Sequence, residues 1–181
     1  MKVLGISGSM RRKGNTAILV QKVLEEVVKG NDSIETEFIS LADYEIGPCI
    51  GCDKCKEEKE CVIATDGWNR IAEAMLDCDV LVVGTPVYYY DVCGQLKNCI
   101  DRTYSMYHDR KLAGKYVVTI AVHGTKGADR ALETLEGFAN THEFSYLGEI
   151  EGQAAEAGEI LNDAKALKEA QKVAKRIAEL G

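Results

Sequence analysis

The 181-residue sequence predicts an α/β fold: a doubly wound, five-stranded parallel sheet with helices on both faces. Two features carry that expectation. Short apolar runs of strand length alternate with longer segments whose apolar residues recur at helical spacing. Glycine- and hydroxyl-rich loops follow several of those runs, at the carboxyl ends of strands where such sheets bind ligands. For one chain this short, the strand order 2-1-3-4-5 is the expected form, in a single domain over residues 1–181. A chain of this length buries about 70% of its unfolded surface.

The elements follow in order. Residues 3–6 are apolar and too few for a helix, so they read as a buried first strand. Residues 16–29 place Ala17, Leu19, Val20, Val23, Leu24 and Val27 on one helical stripe. Residues 34–40 alternate as a second strand. An insertion without periodicity follows, about residues 45–65. Asp66 is placed to cap a helix running to about Cys78, with Trp68, Ile71, Ala74 and Met75 inward. The β-branched run 80–83 is the third strand, closed by Gly84, Thr85 and Pro86. A helix is expected over residues 95–106, a strand over 116–122, a helix over 128–140 and a fifth strand over 144–150. Asn162 is the expected cap of a final helix whose Ala166, Leu167, Ala170, Val173, Ala174, Ile177 and Leu180 form one apolar stripe.

Composition narrows the function. Hydrophobic content of 46% and charged content of 28% are those of a globular protein, and no apolar run is long enough to span a bilayer. A net charge of −7 argues against nonspecific nucleic-acid binding. Seven cysteines behind a start that reads as a strand rather than an export signal imply free or metal-bound thiols, and a cytoplasmic location is expected.

Four of those cysteines, Cys49, Cys52, Cys55 and Cys61, have the spacing C-x2-C-x2-C-x5-C. Runs of this compactness ligate [4Fe–4S] centres. Zinc sites more often use two separated pairs. Unmetallated thiols are the third reading, and the spacing alone leaves all three open. Cys78, Cys93 and Cys99 have no ligand spacing and read as small buried hydrophobes. The three histidines form no catalytic pattern.

Three loops complete the reading. Residues 5–16, Gly-Ile-Ser-Gly-Ser-Met-Arg-Arg-Lys-Gly-Asn-Thr, offer backbone N–H groups, hydroxyls and a helix N-terminus to an anion. Three consecutive cations at a helix start oppose its dipole, which an anion would relieve. The loop matches neither G-x-G-x-x-G nor the Walker pattern, which disfavours Rossmann dinucleotide and P-loop sites. Residues 85–94, Thr-Pro-Val-Tyr-Tyr-Tyr-Asp-Val-Cys-Gly, present tyrosines and rigid backbone to a flat ring. Residues 123–127 can close the other side of a planar ligand.

Taken together, S-G-S-x-R…G-N-T, T-P-V-Y…G-Q-L-K and the cysteine run between them resemble the iron–sulfur flavoprotein family. That family lies in the NAD(P)H-dependent FMN reductase branch of the flavodoxin-like proteins. The resemblance implies a flavodoxin-like fold with a cysteine-rich insertion after strand two, and a flavin-dependent oxidoreductase carrying FMN and a [4Fe–4S] cluster. By position, Ser7, Ser9, Arg11, Asn15 and Thr16 would hold the FMN phosphate. Pro86, Val87, Tyr88 and Tyr89 would lie along the isoalloxazine ring, Gly124, Thr125 and Gly127 would complete its pocket, and Cys49, Cys52, Cys55 and Cys61 would be the cluster ligands. A ferredoxin-like donor or NAD(P)H, and a homodimer or homotetramer, are the implied partners. Met10 stands where relatives commonly have proline. The alternatives are an NAD(P)H-dependent FMN, quinone or nitro-compound reductase without a cluster, and a thiol redox sensor. Lys54, Lys56 and Lys59 could dock an acidic donor, although Glu57, Glu58 and Glu60 alternate with them.

Overall fold

The computed structural model describes residues 1–63 and 65–181; Ala64, within the expected insertion, lies outside the described residues. Strands β1 (Lys2–Ser7), β2 (Glu35–Ser40), β3 (Val80–Tyr88), β5 (Tyr116–His123) and β6 (Ser145–Gln153) form a parallel sheet in the order β2-β1-β3-β5-β6. Strand β4 (Asp91–Val92) is a short antiparallel partner of the β3 end. With that hairpin set aside, the order is the expected 2-1-3-4-5, and the fold is flavodoxin-like.

Side chains alternate across the sheet with a period of two, so each face gathers its own core. Val3, Val80, Val82, Val118 and Ile120 pack under α1 (Asn15–Gly30) and α7 (Ala164–Ala178). Leu4, Ile6, Leu81 and Val83 pack under α3 (Trp68–Asp77) and α4 (Gly94–Arg102), and Val117 under α6 (Ala128–Thr141). Gly5 and Gly84 let α1 settle closely on the sheet. A Cβ at Gly5 would stand 2.8 Å from Leu24 and Val20, and one at Gly84 would stand 2.6 Å from Val20.

Several boundaries differ from expectation. β3 continues through Pro86, Val87 and Tyr88, because β5 pairs with it as far as Pro86 and β4 pairs with Val87 and Tyr88. The expected helix over residues 95–106 is two pieces, α4 and α5 (Tyr104–Tyr107), broken near Thr103, whose hydroxyl donates to the Ile100 carbonyl at 2.6 Å. Asp163, not Asn162, caps α7. Its carboxylate accepts from Ala166 N at 3.0 Å and from Gln153 N at 2.8 Å, tying the helix start to the end of β6. β6 also runs three residues further than the expected strand and carries a bulge opposite Val117 and Val118, a common irregularity of edge strands. Within the cysteine insertion, α2 (Cys55–Glu58) adds one helical turn. Among the described residues no helix is long and apolar enough to cross a membrane.

His142 is buried among Phe138, Phe144 and Tyr107, with Nε2 2.9 Å from the Thr103 hydroxyl. Burial pushes its pKa down to about 4. The unfolded chain takes up that proton near pH 6.5, above the folded value. The contribution of neutral His142 to stability is therefore complete above about pH 6.5 and is lost as the pH falls toward 4. Urea denaturation across that range should show wild-type stability falling more steeply than that of His142→Gln. Parallel pH profiles would contradict the assignment.

Candidate functional site

The loop between β1 and α1 is shaped by its own backbone. Gly8 N donates to the Gly84 carbonyl at 2.8 Å, Arg11 N to the Ser9 hydroxyl at 3.1 Å, and Gly14 N to the Arg11 carbonyl at 2.8 Å. A Cβ at Gly14 would stand 3.0 Å from the Arg11 carbonyl oxygen and 3.1 Å from the Ser9 hydroxyl, so the curl needs glycine there. Ser7, Ser9 and Thr16 are buried at this turn. The N-terminus of α1 has no side-chain cap and no acid in its first turn, which leaves its dipole open to an anion. Of the three cations, Arg12 turns away to Asp43 at 2.5 Å and the Ala42 carbonyl at 3.0 Å. Arg11 and Lys13 make no ion pair among the described residues. The Asn15 side chain is engaged within the chain. Its amide donates to the Glu156 carbonyl at 2.8 Å and accepts from Gly158 N at 2.9 Å, bracing residues 154–160 against the start of α1.

The tyrosine loop is a hairpin. Tyr88 pairs with Asp91, and the two residues between them, Tyr89 and Tyr90, both have positive φ, 49° and 69°. Two-residue hairpins of that geometry favour Asn and Gly, and bulky residues there carry strain of a kind that collects at functional sites. Tyr89 is 99% exposed at the tip. Tyr90 lies across Gly127, whose φ of 99° and lack of a Cβ make the contact possible; a Cβ there would be 2.5 Å from the ring. The loops after β3 and β5 thus meet through these two residues. Beside Gly124, Thr125 and Gly127, a polar cleft of about 710 Å³ runs toward Glu151 and Asp163.

The cysteine segment curls back on itself. Gly51, Asp53 and Lys59 all have left-handed backbone, with φ of 62°, 58° and 64°. The result brings Cys49, Cys52, Cys55 and Cys61 to the wall of one small cavity, about 20 Å³. Cys49 and Cys52 are exposed, Cys61 is half-buried and Cys55 is buried. Burial pushes the Cys55 thiol up, and the three neighbouring sulfurs push the same way. Among the described residues no three His, Cys, Asp or Glu side chains are gathered tightly enough for a single metal ion. The donor set nevertheless suits a cluster, since four thiols line one cavity and Asp53 at its rim is paired with Lys56 at 2.9 Å. The remaining cysteines are inert by comparison. Burial raises Cys78 to about 11 and Cys99 to about 12.

The family-level comparison covers most of the chain. A model described as NADPH-dependent FMN reductase matches residues 1–158. The chain belongs to that family. An iron–sulfur flavoprotein of Methanocaldococcus jannaschii is 36% identical over 99% of this chain and 97% of its own length. A second iron–sulfur flavoprotein of that organism is 34% identical, over 82% of this chain and 75% of its own. Among solved structures, the Trp repressor binding protein of Bacillus subtilis superposes with a TM-score of 0.70 at 26% identity, covering 96% of this chain and 98% of that one.

In this FMN reductase family member, α4 joins the two candidate sites. At its start, the Cys93 thiol donates to the Gly8 carbonyl at 3.0 Å, and Thr85 accepts from Cys93 N at 3.0 Å. At its end, Arg102 holds the cysteine segment through the Gly47 and Ile63 carbonyls, at 3.2 and 2.8 Å. Sequence reasoning did not single out Arg102. The signal was present: Leu96, Cys99 and Arg102 are the buried residues of α4, at helical spacing, and a charge on that stripe is anomalous. Asp66 was expected only as a cap. The cap position of α3 is Gly67, one residue later; from there the Asp66 carboxylate accepts from Trp68 N at 3.1 Å, and it also accepts from Gly47 N at 2.9 Å and from Arg102 Nη1 at 2.7 Å. Burial alone would raise this carboxyl, but the Arg102 and backbone hydrogen bonds outweigh it and hold the group below the usual carboxylate range.

The open α1 terminus and the unpaired Arg11 predict a phosphate-selective effect. Arg11→Ala should weaken FMN binding about ten- to a hundredfold, the loss of one charge-assisted hydrogen bond of about 1.5–3 kcal/mol, and leave riboflavin binding unchanged. Flavin fluorescence titration measures both. Equal weakening of the two ligands would contradict a phosphate role.

Proposed function

We propose that this flavin-dependent oxidoreductase is an iron–sulfur flavoprotein. In this reading Cys49, Cys52, Cys55 and Cys61 hold a [4Fe–4S] cluster, and the loops after β1, β3 and β5 hold FMN. Together those groups would supply conversion between one-electron and two-electron transfer. The chain's own part is to bind, orient and space them. The observation that carries the reading is the position of α4: its first residues touch the β1 loop and its last residue grips the cysteine segment. Gly94–Arg102 is nine residues, so the two sites are separated along the helix by roughly 12 Å at 1.5 Å per residue. The names of the relatives at 36% and 34% identity point the same way.

A ferredoxin-like protein is the proposed donor, and a homodimer or homotetramer the proposed assembly. Lys54 is the strongest docking cation in the cysteine segment, because Lys56 is engaged by Asp53 at 2.9 Å and Lys59 by Asp109 at 3.0 Å. The second reading, an NAD(P)H-dependent FMN, quinone or nitro-compound reductase without iron, is favoured by the description of the matching family.

Cys52→Ala separates these readings, because Cys52 is exposed and distant in sequence from the flavin loops. Under anaerobic conditions, a reduced ferredoxin should bleach wild-type FMN at least about tenfold faster than FMN in the variant. Flavin content and NADPH reduction should be equal in the two. Equal ferredoxin rates, with NADPH supporting turnover, would replace this reading with the second. Reversible thiol oxidation without iron would replace it with a redox sensor.

A further inference from the structure

Arg102 is 1% exposed, and its guanidinium makes more contacts than a structural ion pair requires. Nη1 donates to Asp66 Oδ2 at 2.7 Å and to the Gly47 carbonyl at 3.2 Å. Nη2 donates to the Ile63 carbonyl at 2.8 Å and to Asp66 Oδ1 at 3.3 Å. Nε donates to Cys61 Sγ at 3.2 Å. The guanidinium also stacks over Trp68, 5.4 Å from the ring centroid. Gly47 lies two residues before Cys49, and Ile63 two residues after Cys61. The single side chain therefore grips both ends of the cysteine segment, and the Asp66 carboxylate reinforces the grip by accepting from Gly47 N at 2.9 Å. A planar fork with five donors can meet such a set of acceptors, whereas an ammonium cannot.

We propose that Arg102 is a positioning residue that clasps the cysteine segment shut before any metal arrives, and that its Nε–H contact to Cys61 sulfur raises the reduction potential of the cluster bound there. The second half rests on the proposed function; the first does not. A cationic N–H donor aimed at a ligand sulfur stabilises the added negative charge of a reduced cluster, and hydrogen bonds to sulfur are among the factors that set cluster potentials. Burial strengthens the effect, because solvent cannot screen the charge.

Two variants test both halves. Arg102→Lys keeps the charge but loses the fork. The double variant Arg102→Gln/Asp66→Asn removes both charges together, so that neither is left buried alone. In the metal-free chain, trypsin should cleave after Lys54, Lys56 or Lys59 at least about tenfold faster in each variant than in wild type, while cleavage after Lys22 and bound FMN remain unchanged. Unchanged cleavage in the cysteine segment would overturn the clasp, and so would an equal rise at Lys22, which reports general loosening. In the iron-loaded protein, an EPR-monitored redox titration should give both variants a more negative cluster midpoint by at least about 59 mV, a tenfold change in a one-electron equilibrium. Faster cleavage with an unmoved midpoint would overturn the sulfur contact and leave the clasp standing. Iron absent from wild type would overturn the cluster reading, with the proteolysis still deciding the clasp.

Discussion

The contact of α1 with Gly5 and Gly84 is the constraint on which the site depends. These glycines sit on neighbouring central strands, and Val20 and Leu24 occupy the space that their side chains would fill. A helix held that close to the sheet brings its N-terminus down over the carboxyl ends of β1 and β3. The winding of the sheet reverses there, with β2 on one side of β1 and β3 on the other, and ligands of open α/β sheets bind at that reversal. Larger residues would lift α1 and carry the β1–α1 turn away with it. A packing requirement deep in the core therefore fixes the chemistry at the rim.

A second dependence runs through α4. Its start is pinned to the β1 loop by Cys93, and its buried face descends through Leu96 and Cys99 to Arg102. The cysteine segment has little core of its own. Three left-handed residues and one helical turn shape it, and the pair of buried Arg102 with partly buried Asp66 anchors its ends. Arg102 is buried and Asp66 partly buried, so removing the carboxylate alone would leave the guanidinium without its compensating charge. The order of the insertion is thus concentrated in a few side chains beside the four cysteines.

Much of this was legible in the sequence because it rests on local patterns. The unbroken apolar runs at residues 3–6 and 80–83 reflect two buried sheet faces, and the alternation of helices with strands implies the parallel, doubly wound sheet. The limits are equally physical. β3 runs on through Pro86 because Pro86 still has a partner in β5, a long-range pairing that no local pattern encodes. At the α4–α5 break the Thr103 hydroxyl and N–H both donate to the Ile100 carbonyl, a local arrangement that the helical stripe does not announce. The Asn15 side-chain amide bonds to residues more than a hundred positions away, a long-range contact that the local loop pattern does not encode. Arg102 was hidden because its acceptors, Gly47, Cys61, Ile63 and Asp66, come together only after folding. A buried cation on an apolar helix stripe was the available clue.

The proposed role of the four clustered cysteines of this FMN reductase family member is to hold a [4Fe–4S] centre. Mössbauer spectroscopy of protein produced with iron-57 and purified without oxygen tests it most directly. Ligation by these four thiols predicts the spectrum of a single [4Fe–4S] cluster, with about four iron atoms per chain. An iron-free protein, or one carrying a single zinc ion in the same thiols, would contradict it.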